Sequence, residues 1–410
     1  MFCPNPKKLY FFVLIFAFVF LTQCIDELNI NIGQVDDLLV IDAGLIKNEQ
    51  IQRVTITHSV ALDSSKVPYV GGCKVFVEDE LGNTVSYNET STGIYQVEID
   101  ESYFVLNRQY RLNVVTKEGE TYQSDWEILT DCPPIDTLYA LNVNEYSYEK
   151  RRNAEGIKFY TNINTDNNYS RYYRWTMSED WEYFVPSAHI GMYHEDSIYL
   201  YKEMVDSLQF CYKHGKINEL YCASTAELTK NERFNIPLNH VFYFTGKLYS
   251  RYSLLLKQYS LTKEAYAFWL GLKTNNQPDV SLYQQQPNEL VSNIKNVTNG
   301  SEKVFGYFWV ATKTEKRFFY ENPKKKPLPW ISSRCYQETF YSFQSPYLNS
   351  IDDSLGDPAY FTDYYIDTEI IEIGQLIFYT FDTIIWATAE DCANCKLEEG
   401  INTPPDFWKK

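Results

Sequence analysis

Apolar and polar residues alternate along most of this chain, and the alternation sets in near Val40. In "RVTITHS", Val54, Ile56 and His58 fall on one side of an extended segment, Thr55 and Thr57 on the other. A period of two is the mark of a strand with one buried face. "GGCKVFVEDELGNTVSYNETSTGIYQVEI" reads as strand, turn at Leu81-Gly82-Asn83, strand, turn at Thr92-Gly93, strand. "RQYRLNVVTKEGETYQSDWEI" repeats the scheme around Glu118-Gly119. Glycine beside a polar residue supplies the positive φ that tight turns demand. Short strands at this spacing predict an immunoglobulin- or transthyretin-like β-sandwich over residues 24–131.

Pro133-Pro134 in "DCPPIDTLY" breaks the pattern and marks a boundary. Residues 132–410 then read as a larger, β-rich domain. In "SRYYRWTMSEDWEYF", Tyr173, Trp175 and Met177 share one face, while Tyr172, Arg174 and Thr176 share the other. "FYFTGKLYSRYSLLLKQYSL" alternates for two strands around Gly246, and "EKVFGYFWVATKTEKRFFYEN" predicts a further strand pair. One segment changes period. In "SLTKEAYAFWLGLK", Leu261, Ala265, Phe268, Trp269 and Leu272 recur at helical spacing, with Ser260 or Thr262 as the cap. The class is mainly β with one short helix.

The first residues follow another logic. Lys7 and Lys8 precede an uncharged run from Leu9 to Thr22, shorter than the roughly 20 residues a helix needs to cross a bilayer. A basic start, a short apolar core and a break describe a secretory signal peptide over residues 1–23. "LTQC" matches a bacterial lipobox at Leu21, Thr22 and Cys24, with Gln23 larger than usual, and makes Cys24 the expected site of lipid attachment. Export permits disulfides. Cys211 and Cys222 are close enough to close a hairpin-like loop, and Cys335 could reach Cys392 or Cys395, so the connectivity stays open.

Charge and composition narrow the partners. A formal net charge of −17 argues against nucleic acid, whose phosphates require clustered Lys and Arg. The 35 tyrosines suit half-buried strands, which is the plain structural reading. No nucleophile elbow, P-loop or dinucleotide motif occurs, so no cofactor and no catalytic residue is expected. "HIGMYHEDS" gathers His189, His194, Glu195 and Asp196, but a separation of five residues between the histidines suits neither helix nor strand ligation, and no metal is expected. The C-x-x-C of "DCANCK" lacks a thioredoxin-like setting and reads as a structural staple near the C-terminus. With 54 carboxylates, neighbouring acidic pairs arise by chance and carry no hydrolase assignment. Phe407 and Trp408 would bury a large area if docked, so a docked C-terminus is expected.

Taken in order, several segments resemble a known family. They are "LLVIDAGLI", "CPPIDTLY", "YYRWTMSEDWEYFVP", "YSLLLKQYSLTKEAYAFW", "QPNELVSNIKN", "EKVFGYFWVATKTEKRFFYE" and the tail "CANCKLEEGINTPPDFW". The chain is similar to the Bacteroidota lipoproteins grouped as domain of unknown function 4249. It departs from them at Ser292 and Glu399, where glycine is usual. The resemblance implies an outer-membrane lipoprotein, often encoded beside TonB-dependent transporters, with no assigned catalytic residues. Asp26 and Glu27, just after Cys24, resemble the surface-export signal of that phylum. The expectation is therefore a lipid-anchored, non-enzymatic accessory or ligand-capture partner of a TonB-dependent transporter on the cell surface. The alternatives are a structural or adhesive envelope protein and, behind it, a glycan or peptide hydrolase.

Overall fold

The computed structural model describes residues 38–60, 66–184, 191–194, 197–200, 210–276, 290–323, 338–342, 377–381, 384–388, 395, 400–401 and 403–408. Cys24, Asp26, Glu27, His189, Cys335 and Cys392 lie outside the described residues.

The N-terminal region supplies β1 (Leu39–Lys47), β2 (Ile51–His58), β3 (Lys74–Asp79), β4 (Thr84–Ser86), β5 (Asn88–Ser91), β6 (Ile94–Glu98), β7 (Gln109–Val115), β8 (Thr121–Ser124) and β9 (Glu127–Ile128). Gly82, Gly93 and Gly119 take positive φ at the three expected turns. After the proline break come β10 (Thr137–Ser147), β11 (Arg152–Asn164), β12 (Tyr172–Phe184), β13 (Gly191–His194), β14 (Ser197–Leu200), β15 (Phe210–Ser224), β16 (Glu232–Phe242) and β17 (Arg251–Ser260). Helix α1 (Lys263–Asn276), the one α-helix among the described residues, leads to β18 (Ile294–Asn296) and β19 (Val304–Glu321). Three short strands close the order: β20 (Glu338–Ser342), β21 (Ile377–Phe381) and β22 (Ile384–Thr388). The chain is mainly β.

One eight-stranded sheet, ordered β15-β12-β17-β19-β1-β2-β6-β5, runs through both regions. Strand β19 joins its halves. Val304–Thr312 pair parallel with β1, and Lys313–Glu321 pair antiparallel with β17. The expected strand pair is thus a single strand of 18 residues. Nothing between Ala311 and Thr314 offers turn chemistry, so the chain continues straight and changes its partner instead. Gly306, at φ +140, allows a close crossing: a Cβ there would lie 2.0 Å from the Ile41 carbonyl oxygen.

Alternation along β19 decides which layer covers which face. Phe308 and Val310 enter a core with Ile41, Leu45, Val54, Tyr95, Tyr110 and Leu112 beneath the sheet of β18, β8, β7, β3, β4 and β9. Phe318 and Tyr320, of the same parity, pack on a second core of Ile157, Phe159, Tyr173, Trp175 and Leu254 beneath the sheet β10-β11-β16. Two small sheets therefore share one face of the large one. Tyr307, Trp309 and Ala311 point the other way and meet α1 through Ala265 and Phe268. Burial on both faces explains the unbroken apolar run "VFGYFWVA".

The sequence boundary at residue 131 falls between β9 and β10, yet the N-terminal sandwich is not built from residues 24–131 alone. Ile294, Phe308 and Val310 return to its core, and β18 pairs with β8. Thr262 proves to be the helix cap: its hydroxyl accepts from the Ala265 backbone N–H at 3.2 Å.

Candidate functional site

Strand β12 places two buried acids, Glu179 and Asp180, side by side, and Glu179 lines a cleft. Tyr173, Trp175, Met177 and Glu179 have one parity, so Glu179 points to the inner, core side; Asp180 points to the outer. Glu179 is 5% exposed and Asp180 4%. A buried carboxylate needs a partner, and each has its own set.

Glu179 forms the floor of a cleft between Lys216–Glu219 on β15 and Asn239–Phe242 on β16, with a volume of about 560 Å³. Its carboxylate accepts from Lys247 Nζ and, at 2.8 Å, from the Tyr252 hydroxyl. Burial, then the Glu179 charge, push the Tyr252 phenol well above its usual range, so it stays a donor. Lys247 Nζ also stands 4.7 Å from the centre of the Trp181 ring. Gly215 makes room for the acid, since a Cβ there would lie 3.1 Å from Glu179 Oε1. On the far wall, His240 Nδ1 is 3.5 Å from Glu145 Oε2. Burial lowers the His240 pKa, partly opposed by Glu145, which keeps the imidazole neutral at pH 7.

On the opposite face Asp180 bonds His214 Nδ1 and Arg317 Nη1, each at 2.7 Å. Arg317 also donates to Ser253 Oγ at 2.7 Å and lies 3.4 Å from the centre of the Phe407 ring. Arg251 stacks on Phe319 and Trp408 and donates to the Trp408 carbonyl at 3.0 Å. Trp408, 5% exposed, also packs edge-on against Tyr212 and Phe319. The C-terminal aromatic pair is docked, though Phe407 stays 38% exposed because its ring covers an arginine, not the core.

The cysteines settle part of the open connectivity. Cys211 pairs with Cys395, with Cα atoms 5.7 Å apart and both residues fully buried. Cys211 therefore does not close a hairpin with Cys222, which carries a free thiol; Cys73 and Cys132 are free as well. The disulfide is a staple across the fold, not a bond within the C-x-x-C. Cys222 stands opposite Arg174 in the β12–β15 ladder. Burial pushes its thiol up to about 11, with Arg174 and Lys273 pulling the other way, so it is protonated and a poor nucleophile. Beside it, the Arg174 guanidinium lies 3.5 Å from the Trp269 ring centre and 5.0 Å from that of Trp309.

His194 sits on β13, while Glu195 and Asp196 fall outside the described residues. Among the described residues no group of three His, Cys, Asp or Glu side chains is placed to hold a metal ion. Sequence reasoning passed over Glu179, Asp180, Lys247 and Arg317. The available signal was two adjacent acids inside an otherwise aromatic strand, where one of them must face a core.

Fold and site together define a multi-sheet β protein with a charged cleft between two strand edges and a stapled C-terminal tail. The chain belongs to the family described as "Domain of unknown function (DUF4249)", whose profile matches residues 25–317. No curated protein matches. Among solved structures, trypsin-activated alpha-2-macroglobulin from Escherichia coli aligns at 9% identity and a TM-score of 0.17, covering 56% of this chain and 15% of that one. The chain thus spans a small part of that protein's length, and likeness at that level carries no argument.

Proposed function

We propose that this chain is an outer-membrane lipoprotein, anchored through acyl groups on Cys24 and facing the cell surface. There it acts as a non-enzymatic accessory or ligand-capture partner of a TonB-dependent transporter. The lipobox-like end and the acids Asp26 and Glu27 support the anchor and its outward face. Several acyl chains, at about 0.8 kcal/mol per buried CH₂, hold a protein stably where one is marginal.

The observation that carries the binding reading is the cleft over Glu179. Its carboxylate is committed to Lys247 and Tyr252, an arrangement that suits recognition better than proton transfer. Affinity purification of the tagged protein from detergent-solubilised outer membranes tests the partnership. Co-purification of a transporter is expected, and recovery of the lipoprotein alone contradicts it. Protease shaving of intact cells tests the outward face, and a protein left uncut removes that claim.

An adhesive envelope role is the second reading. It draws on Leu141, Tyr146 and Tyr148, exposed on and beside β10. Loss of cell-surface binding with normal nutrient uptake in a deletion strain would favour it.

A further inference from the structure

Both walls of the cleft over Glu179 carry a bulge. On one wall Trp175 pairs with Tyr221 and Met177 with Ile217, so Thr176 alone stands opposite Asn218, Glu219 and Leu220 of β15. On the other, Lys158 pairs with His240 and Tyr160 with Pro237, so Phe159 stands opposite Leu238 and Asn239 of β16. Extra residues of this kind interrupt the ladder and re-aim side chains, and they concentrate beside active sites. Asn218, Glu219 and Asn239 all line the cleft. Asn218 and Glu219 are exposed, and Asn239 is half-buried. A turn closes the space: after the 3-10 segment Tyr243–Thr245, Gly246 takes φ +76, and Thr245 and Lys247 on either side of it join the lining. The bulges and the turn enclose one volume of about 560 Å³, within the range of small-molecule sites.

Charge and hydrogen-bonding capacity select the occupant. In the lining, Lys216 and Lys247 balance Glu179 and Glu219, and His240 is neutral at pH 7. A balanced lining gives neither an anion nor a cation a net attraction. The amides of Asn218 and Asn239 both donate and accept, and Glu219 accepts, so hydroxyl groups suit all three. Ile217 and Phe242 add apolar surface beside them. An extended peptide would instead need regular main-chain partners, which two bulged walls do not supply. A sugar chain, uncharged, rich in hydroxyls and apolar on its C–H faces, matches every part of this lining.

We propose that the cleft over Glu179 binds a neutral oligosaccharide, whose hydroxyls pair with Asn218, Glu219 and Asn239 while its C–H faces lie on Ile217 and Phe242. Glu179 and Lys247 hold each other, which keeps the floor neutral. The inference rests on the ligand-capture reading of this same cleft and supplies its ligand class. It depends neither on the anchor at Cys24 nor on a transporter.

The test uses the folded, full mature chain and panels of defined oligosaccharides, neutral, acidic and amine-bearing, with short peptides of matched length. A neutral oligosaccharide is expected to bind saturably, and at least about tenfold more tightly than the charged ones and the peptides. In titrations with that oligosaccharide, Asn218→Ala and Asn239→Ala should each weaken binding about five- to tenfold. Leu81→Ala, at an exposed turn of the N-terminal region, should leave it unchanged. Asn218 is exposed, so its variant carries the test if Asn239→Ala fails to fold. Preference for peptides or charged oligosaccharides, weakened by the same two variants, would overturn the ligand class and leave capture by the cleft standing. Neutral oligosaccharide binding that neither variant weakens would overturn the site. Absence of saturable binding by every member of the panels would overturn the inference and the capture reading together.

Discussion

Glu179 and Asp180 are adjacent in the chain, face opposite sides of one sheet, and are each held by a cation from another strand or loop: Lys247 for the first, Arg317 for the second. Strand geometry makes this unavoidable, because neighbouring residues alternate faces. The cleft and the docked tail are therefore front and back of the same short piece of β12.

Breaking the rear pair should cost more than a surface ion pair would. Asp180→Ala leaves Arg317 without its carboxylate, and breaking a buried pair by removing one partner costs about 3 kcal/mol. A drop in the urea midpoint at unchanged slope measures it. Combining Asp180→Ala with Arg317→Met should recover part of the loss, since the stranded charge is then gone.

The tail depends on its staple. Cys211 and Cys395 are separated by 184 residues, and closing so long a loop contributes about 2–5 kcal/mol. Replacing both by serine should lower the midpoint by a corresponding amount and raise hydrogen exchange at Trp408. Exchange at Trp408 unchanged from the parent would mean that Arg251 and Phe319 hold the tail by themselves.

Glu127 gives the fold a pH dependence near neutrality. It sits where β9, the cap of α1 and β19 meet, accepting from Tyr307 and from Thr262. Burial raises its pKa from 4.5 to about 7, against the pull of those hydrogen bonds. The folded state then binds the proton more tightly than the unfolded state. Its contribution is full below about pH 4.5 and is lost as pH rises through about 7, so stability should fall between pH 5 and pH 8. Glu127→Gln should flatten that part of the profile; an unchanged slope contradicts the assignment.

Arg174 joins α1 to the sheet through its indole contacts with Trp269 and Trp309. Desolvated cation–π contacts are worth about 2 kcal/mol. Arg174→Ala should cost at least that, and should shift tryptophan emission to the red as water reaches the rings. Stability equal to the parent would reduce the stack to a coincidence of packing.

Local chemistry was the legible part of this sequence. Tyr173, Trp175 and Met177 share the buried face their spacing predicts, and Gly82, Gly93 and Gly119 make the turns their neighbours announce. Whatever depends on distant partners stayed hidden. Strand β19 reads locally as a pair, because its change of partner from β1 to β17 leaves no mark on its own residues. Pro133-Pro134 falls between β9 and β10, but it cannot reveal that Phe308 returns to the first core. Cys211 and Cys222 look natural partners by spacing, and only the docked tail brings Cys395 to Cys211. Glu179 is one of 54 acids until β16 and Lys247 close around it.

The proposed anchor at Cys24 is tested most directly by the mass of the mature N-terminal peptide from native membranes. It predicts a peptide that begins at Cys24 and carries acyl chains, together with loss of the protein from the membrane fraction in Cys24→Ala. An unmodified N-terminus with the protein released in soluble form would contradict it.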